Sequence, residues 1–182
     1  MADADANCKK YGVPLYGASW VPPTAIRSDP NPTPPPPPPE QGDESSGDGS
    51  PPISDDNSLV LLAGGGGVGC NGISNALLLA RFDFTSNSLS DYPVARLRTG
   101  TDLPYRMAVH PGGDGVICSS PEICRYYEWE TVSTDVQNLG LKLSDKVIDE
   151  LEDIGQQLAL KFNYEGSVLA LGGEVEIYFP LF

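Results

Sequence analysis

Residues 109–120 read VHPGGDGVICSS, and residues 162–173 read FNYEGSVLALGG with the same layout. Each stretch has the end of an apolar strand, a polar turn with glycine at the fifth place, a second apolar strand and then small residues. The two copies lie 53 residues apart, whereas propeller blades repeat every ~40–45 residues. The pattern therefore predicts hairpins from successive four-stranded blades, with the surplus residues in segment 132–154.

Apolar runs elsewhere in the chain predict further strands. These runs span residues 16–21, 59–63, 76–84, 93–97, 106–109, 116–119 and 125–129. Within segment 132–154, the apolar residues have the spacing of a short amphipathic helix. They are Leu141, Val147, Ile148 and Leu151.

The strands supply about three blades, whereas a seven-bladed ring needs on the order of 300 residues. We therefore predict an all-β fold, the N-terminal part of a β-propeller with an incomplete ring. The predicted segments are a first strand region at 1–27, a disordered insert at 28–58, the partial propeller at 59–174 and a divergent tail at 175–182. The tail is apolar and aromatic where the next blade strand is due, which favours a truncated or alternatively spliced product.

Residues 28–58 differ in composition from the rest of the chain. They contain seven acidic residues and neither lysine nor arginine, so they carry half of the net charge of −14. Thirteen of the 18 prolines lie in the first 52 residues, and residues 34–39 are an unbroken proline run. Such a segment buries too little apolar surface to offset its ordering entropy, so we predict a disordered linker with an extended proline run. It is either a solvated spacer or a docking site for a proline-recognising domain.

The charge and the termini exclude several classes of protein. A net charge of −14 argues against nucleic-acid binding, because phosphate neutralisation needs a basic surface. No apolar run approaches the ~20 residues of a membrane-spanning helix. The N-terminus, MADAD, lacks the basic and apolar regions of a secretory signal.

The cysteines and the single histidine give little support for metal or acid–base chemistry. The four cysteines, at positions 8, 70, 118 and 124, form no CxxC pair, which disfavours zinc. We expect Cys8, Cys70, Cys118 and Cys124 to be free thiols in or near the core. His110 is the only histidine and lies in a turn, which favours a structural role over that of a general base.

Residues 63–75, AGGGGVGCNGISN, are the most informative segment for function. Gly64, Gly66 and Gly69 satisfy the GxGxxG pattern of dinucleotide-binding folds, an interpretation that requires a helix starting at the loop. Asn71 and Gly72 disfavour that helix, and the absence of a GK[ST] sequence excludes a P-loop. Two other interpretations stay open: a plain flexible hairpin, and a loop whose backbone carbonyls or amides converge on one ion.

Four segments of the sequence resemble one protein family. Segments 63–67, AGGGG, and 72–76, GISNA, look like the glycine-rich K loop of the Sec-twelve-like proteins. These proteins are the endoplasmic-reticulum exchange factors for the Sar-type small GTPase of COPII budding, and their mammalian member is prolactin regulatory element-binding protein. Segments 102–114, DLPYRMAVHPGGD, and 158–163, LALKFN, look particularly like the plant members. The resemblance covers residues 59 to about 174, with residues 11–20 as a first strand.

The resemblance implies a cytosolic WD-repeat propeller of seven blades and a C-terminal endoplasmic-reticulum membrane helix, which this chain lacks. It implies a loop that holds a potassium ion on backbone carbonyls between Gly64 and Asn75 and inserts beside the nucleotide of a Sar-type GTPase. Asn75 matches the family's key asparagine and would act in nucleotide exchange. The partner-binding residues would be Gly64, Gly65, Gly66, Gly67, Gly72 and Ile73. Nucleotide exchange needs no covalent chemistry. The exchange factor binds the nucleotide-free GTPase more tightly than the GDP-bound form, and this preference weakens the affinity of the GTPase for GDP.

Two features depart from the family pattern. The remaining blades and the membrane helix are missing, and the insert at 28–58 interrupts the first blade. An alternative is therefore a non-catalytic propeller accessory for the exit of membrane cargo, such as phosphate transporters, from the endoplasmic reticulum. A plant relative with that role lacks the glycine run, so the run and Asn75 favour the exchange-factor branch. A nucleotide-binding oxidoreductase is the third interpretation, and it applies only if the loop begins a helix.

Overall fold

The computed structural model describes residues 8–26, 57–67, 69, 72–121, 123–131, 139–146, 157–173 and 177–178. This part of the chain contains twelve strands in three antiparallel sheets and one helical turn, α1 (Pro23–Ile26). The strands are β1 (Leu15–Trp20), β2 (Asn57–Gly64), β3 (Asn75–Asp83), β4 (Ser88–Leu89), β5 (Ala95–Gly100), β6 (Arg106–Val109), β7 (Gly115–Ser119), β8 (Cys124–Thr131), β9 (Leu139–Leu143), β10 (Gln157–Phe162), β11 (Leu169–Gly173) and β12 (Ile177–Tyr178). A search of the same residues for a helix of membrane-spanning length and hydropathy finds none.

The strands follow one another as meanders in each sheet. The first sheet has the order β1-β2-β3, and both β4 and β5 pair with the free side of β3. The second sheet has the order β6-β7-β8-β9, and the third has the order β10-β11-β12. The first strands of the three sheets adjoin, since β6 packs against both β1 and β10. Successive meanders with adjoining first strands are propeller blades, so the predicted all-β partial propeller is confirmed.

The first sheet is buried on both of its faces. Leu61, Leu77 and Leu79 pack against the second sheet in one core cluster. Leu62 and Leu78 belong to a cluster on the opposite face, which also contains the side chain of residue 11. Burial on both faces explains why β2 and β3 are continuous apolar runs without polar alternation.

The internal repeat of the sequence is also a repeat of structure. The N–H of His110 donates to the carbonyl of Gly115 at 2.9 Å, and the N–H of Asn163 donates to that of Val168 at 2.9 Å. In both turns the glycine at the fifth place adopts a positive φ, +85° at residue 113 and +80° at residue 166. The predicted hairpins are therefore confirmed, and their glycines are needed where the backbone turns left-handed.

His110 joins the turns of two neighbouring sheets. Its Nδ1 accepts from the N–H of Gly112 at 3.2 Å, and its Nε2 lies 3.1 Å from the carbonyl oxygen of Gly166. Oδ2 of Asp114 also lies 3.5 Å from Nδ1, so the two ring nitrogens contact polar groups of both turns. The ring also meets Phe162 edge to face, with 5.1 Å between centroids. His110 is a structural residue, as its turn sequence predicts.

The predicted helix in segment 132–154 is wrong at Leu141, which lies in strand β9. Leu139 and Leu141 alternate with period two and are both buried against the core between the first two sheets. The free edge of β8 supplies backbone partners for this strand, an interaction that a helical pattern in the sequence does not reveal. The other helix positions, at 147, 148 and 151, lie outside the described residues.

The predicted burial of the cysteines holds for two of the four. Cys118 is buried and Cys124 is half-buried, each within an apolar cluster. Burial raises the pKa of Cys124 to about 11 and raises that of Cys118 as well, so both thiols stay protonated and inert. Cys8 is exposed, which corrects the prediction for that residue, and Cys70 lies outside the described part.

The described structure reaches into both segments that flank the predicted propeller. Strand β2 begins at residue 57, within the last two residues of the predicted insert, and residues 27–56 lie outside the described part. Residues 177–178 of the predicted tail form β12, which pairs with β11.

We expect Gly166→Ala to lower the free energy of unfolding by about 1–3 kcal/mol, because an alanine there combines a positive φ with overlap of its Cβ and the His110 ring. Gly172→Ala in the same sheet is the matched control. Its Cβ makes an ordinary 3.7 Å contact with Ala159, so the change stays below about 1 kcal/mol. Urea unfolding followed by circular dichroism measures both variants, and equal midpoints would contradict the strained turn.

Candidate functional site: the glycine-rich loop

The glycine-rich loop connects two antiparallel strands. Strands β2 and β3 pair continuously from Asn57 with Asp83 to Gly64 with Ala76, and the loop spans the end of this pair. Strand β3, not a helix, follows the loop directly. A dinucleotide fold needs a helix at this place and a parallel sheet behind it, so the interpretation of Gly64, Gly66 and Gly69 as its fingerprint is wrong.

Asn75 lies at the root of the loop, as the first residue of β3. It is 3% exposed. Its Oδ1 accepts from the N–H of Gly67 at 2.9 Å, and its Nδ2 donates to the carbonyls of Gly100 at 3.1 Å and Thr101 at 3.2 Å. The amide thus ties the loop to the turn that follows β5, and both ends of the side chain have partners.

Glycine is required where the loop passes closest to other backbone. A Cβ at Gly65, whose φ is +147°, would overlap the side chain and Cα of Asn75. A Cβ at Gly64 would overlap the carbonyl of Pro14, which accepts from the N–H of Gly65 at 3.0 Å. Gly67 adopts a φ of +78°. The first glycines therefore build the root of the loop.

The other end of the loop is exposed. Gly69, Gly72, Ile73 and Ser74 are exposed to solvent, whereas Gly66 is half-buried. Ile73 is 37% exposed, a large apolar side chain that the loop presents to solvent. Residues 68, 70 and 71 lie outside the described residues. The predicted site residues thus divide into a buried root around Asn75 and an exposed part that includes Gly72 and Ile73.

Sequence reasoning missed the turn at residues 100–103. The Gly100 and Thr101 carbonyls are the partners of Asn75, and Gly100 has a φ of +65°. The side chain of Leu103 lies 3.7 Å from the place of a Cβ on Gly67, so it flanks the loop. The available signal was local, a glycine followed by Thr-Asp, which is typical of a turn but does not indicate what the turn contacts.

The fold and the loop together define a class of protein: a partial β-propeller whose first blade carries a glycine-rich loop braced by a buried asparagine. No protein-family model matches the chain. The chain is 54% identical over 169 residues to SEC12-like protein 2 of Arabidopsis thaliana, an alignment that covers 93% of this chain and 41% of that protein. It is 34% identical over 109 residues to SEC12-like protein 1 of the same plant, covering 58% of this chain and 26% of that protein.

The chain belongs to the plant SEC12-like family. This confirms the resemblance that the glycine loop and segment 102–114 indicate. The chain spans less than half the length of either relative.

Gly65→Ala should displace the loop root, whereas Gly69→Ala should not. The first substitution forces a Cβ against Asn75, and the second meets open space. In Gly65→Ala we expect the amide of Gly67 to exchange about fivefold faster with solvent, because the loss of its hydrogen bond to Asn75 removes ~1 kcal/mol of stabilisation. Exchange measured by NMR tests this. Equal protection in the two variants would show that the close approach at Gly65 does not hold the loop.

Proposed function

We propose that this chain contains the exchange module for a Sar-type small GTPase and promotes GDP release at the start of COPII coat assembly. The proposed place of action is the cytosolic face of the endoplasmic reticulum. Membership of the SEC12-like family supports this function. The structural observation that carries it is the glycine-rich loop, which has a fixed root and an exposed end.

A fixed root suits a loop that must open the nucleotide site of another protein. A loop whose root is already fixed loses less conformational entropy on binding, so more of its contact energy is available to favour one state of the partner. Preferential binding of the nucleotide-free GTPase then weakens its affinity for GDP by the same factor. The exposed end offers the Ile73 side chain together with backbone amides and carbonyls, which can compete for polar groups near a nucleotide.

Asn75 serves this mechanism as a positioning residue. Its amide is buried and bonded to Gly67, Gly100 and Thr101, so it acts on the partner through the shape of the loop. Removing the amide leaves the Gly67 N–H and two carbonyls without their partners. The contacts with the GTPase then fall to the exposed residues, of which Ile73 has the largest side chain.

The loop residues fit a potassium ion. Residues 63–75 contain no charged side chain, so the donors available are neutral oxygens, chiefly backbone carbonyls. Carbonyl oxygens without carboxylates suit a monovalent cation, whereas magnesium and calcium prefer carboxylates. The tight packing of Gly65 against Asn75 leaves no room for a side chain between the backbone segments at the root. The carbonyls between Gly64 and Asn75 would hold the ion, which would add one positive charge beside the nucleotide phosphates.

Asn75→Ala should slow stimulated GDP release by about tenfold, equivalent to ~1.4 kcal/mol, because the loop loses its brace. Release of a fluorescent GDP analogue from a plant Sar-type GTPase measures the effect. Asn163→Ala is the matched control. Its side chain also stabilises a turn, by accepting from the N–H of Val168 at 3.0 Å, but that turn lies between β10 and β11. We expect the control to keep the wild-type rate.

Two outcomes would count against the proposal. If neither this chain nor a full-length relative accelerates GDP release, the accessory function in cargo exit is favoured. If Asn75→Ala and Asn163→Ala lose activity equally, the loss reflects general destabilisation of the propeller and not the loop.

Replacing potassium by sodium or lithium at constant ionic strength should slow the stimulated release. The larger potassium ion matches several flexible carbonyl donors, and the smaller ions hold their water more strongly. The GTPase alone, assayed in the same salts, separates an effect on the loop from an effect on the nucleotide site. Equal stimulation in all three salts would remove the ion from the mechanism.

A further inference from the structure

The turn whose carbonyls accept from Asn75 also makes an ion pair with the second sheet. Asp102 follows Thr101 in this turn, and its Oδ2 accepts from Nε of Arg125 at 3.2 Å. Arg125 lies in β8, within the second sheet, whereas Asn75 lies in the first sheet. The turn therefore has one hydrogen-bonded anchor in each of two blades.

Two internal hydrogen bonds close the turn between its two anchors. The hydroxyl of Thr99 donates to the carbonyl of Asp102 at 2.6 Å, and the N–H of Asp102 donates to the carbonyl of Thr99 at 3.2 Å. Asn75 and Arg125 therefore both contact the short segment from Gly100 to Asp102, which these hydrogen bonds close. Leu103, the next residue, lies beside Gly67 of the loop.

We propose that Asp102 and Arg125 form a strut between the first two blades that positions the glycine-rich loop. The chain of contacts runs from the Arg125 guanidinium to the Asp102 carboxylate, through the turn to the Asn75 amide, and from there to the Gly67 N–H. Asp102 and Arg125 are positioning residues, and their effect on nucleotide exchange rests on the function proposed above. Their effect on the loop conformation does not depend on that function.

The exposure of the pair sets the size and the salt dependence of the effect. The side chains of Arg125 and Asp102 are 41% and 25% exposed, so solvent partly screens their attraction. Partly exposed ion pairs support changes of about two- to fivefold in an equilibrium, and salt weakens them. A contact that acted through packing alone would not respond to salt in this way.

The test compares Asp102→Asn, Arg125→Met and the double variant in the full chain. We expect the hydrogen-exchange rate of the Gly67 amide to rise about two- to fivefold in each variant, with no further rise in the double variant, because all three remove the same ion pair. Raising the salt concentration should speed exchange at Gly67 in the wild type but not in the variants. Lys142→Met, which removes an exposed ion pair with Glu128 in the same sheet, is the control and should leave Gly67 unchanged.

The stimulated release of GDP is measured in parallel on the same proteins. Slower release that follows the Gly67 exchange rates supports the strut together with the proposed function. Unchanged Gly67 exchange in Asp102→Asn and Arg125→Met, with the variants folded, overturns the strut. Additive effects in the double variant, or a salt response that persists without the pair, overturn it too. A wild-type chain that does not stimulate release refutes the proposed function, while the Gly67 measurements still decide the strut.

Discussion

The structure of the candidate site depends on the buried amide of Asn75. Its hydrogen bonds to described residues join the glycine loop at Gly67 to the turn at Gly100 and Thr101, and the side chain itself is almost fully buried. A buried amide without partners costs free energy comparable to several of the bonds it would make, so its position is specified closely. The close approach of Gly65 makes the loop glycines and this side chain one structural unit.

This unit is held in place by the packing of blades against each other. One apolar core joins the first sheet to the second, and another joins the second to the third. Asn75 donates a hydrogen bond to Thr101, which lies in the connection from the first sheet to the second. The root of the loop therefore lies where two blades meet. His110 makes a comparable connection farther along the chain, by bonding the turn of the third sheet at Gly166. Polar contacts between turns thus supplement the apolar cores between sheets.

Local sequence patterns predict where the strands lie, but they predict less well which strand each one pairs with and which side chains are buried. The runs at residues 59–63, 76–84 and 125–129 correspond to β2, β3 and β8 because their apolar residues suit sheet burial. The helix prediction is wrong at Leu141 because the open edge of β8 pairs with residues 139–143 as a strand, and the other predicted helix positions lie outside the described residues. Cys8 is exposed despite its residue type, since the sequence does not show which side of a segment faces the core.

The sequence by itself determined the repeated hairpins, because turn glycines and apolar periodicity are local properties of the chain, and its resemblance to known proteins indicated the family. The tertiary structure alone decided what the loop rests on. Asn75 meets Gly100 and Thr101 25 and 26 residues further along the chain, and Asp102 meets Arg125 from another sheet. The first contact depends on the pairing of β3 with β5, and the second depends on how the first two sheets pack together. No pattern within one segment shows which distant segment it will contact.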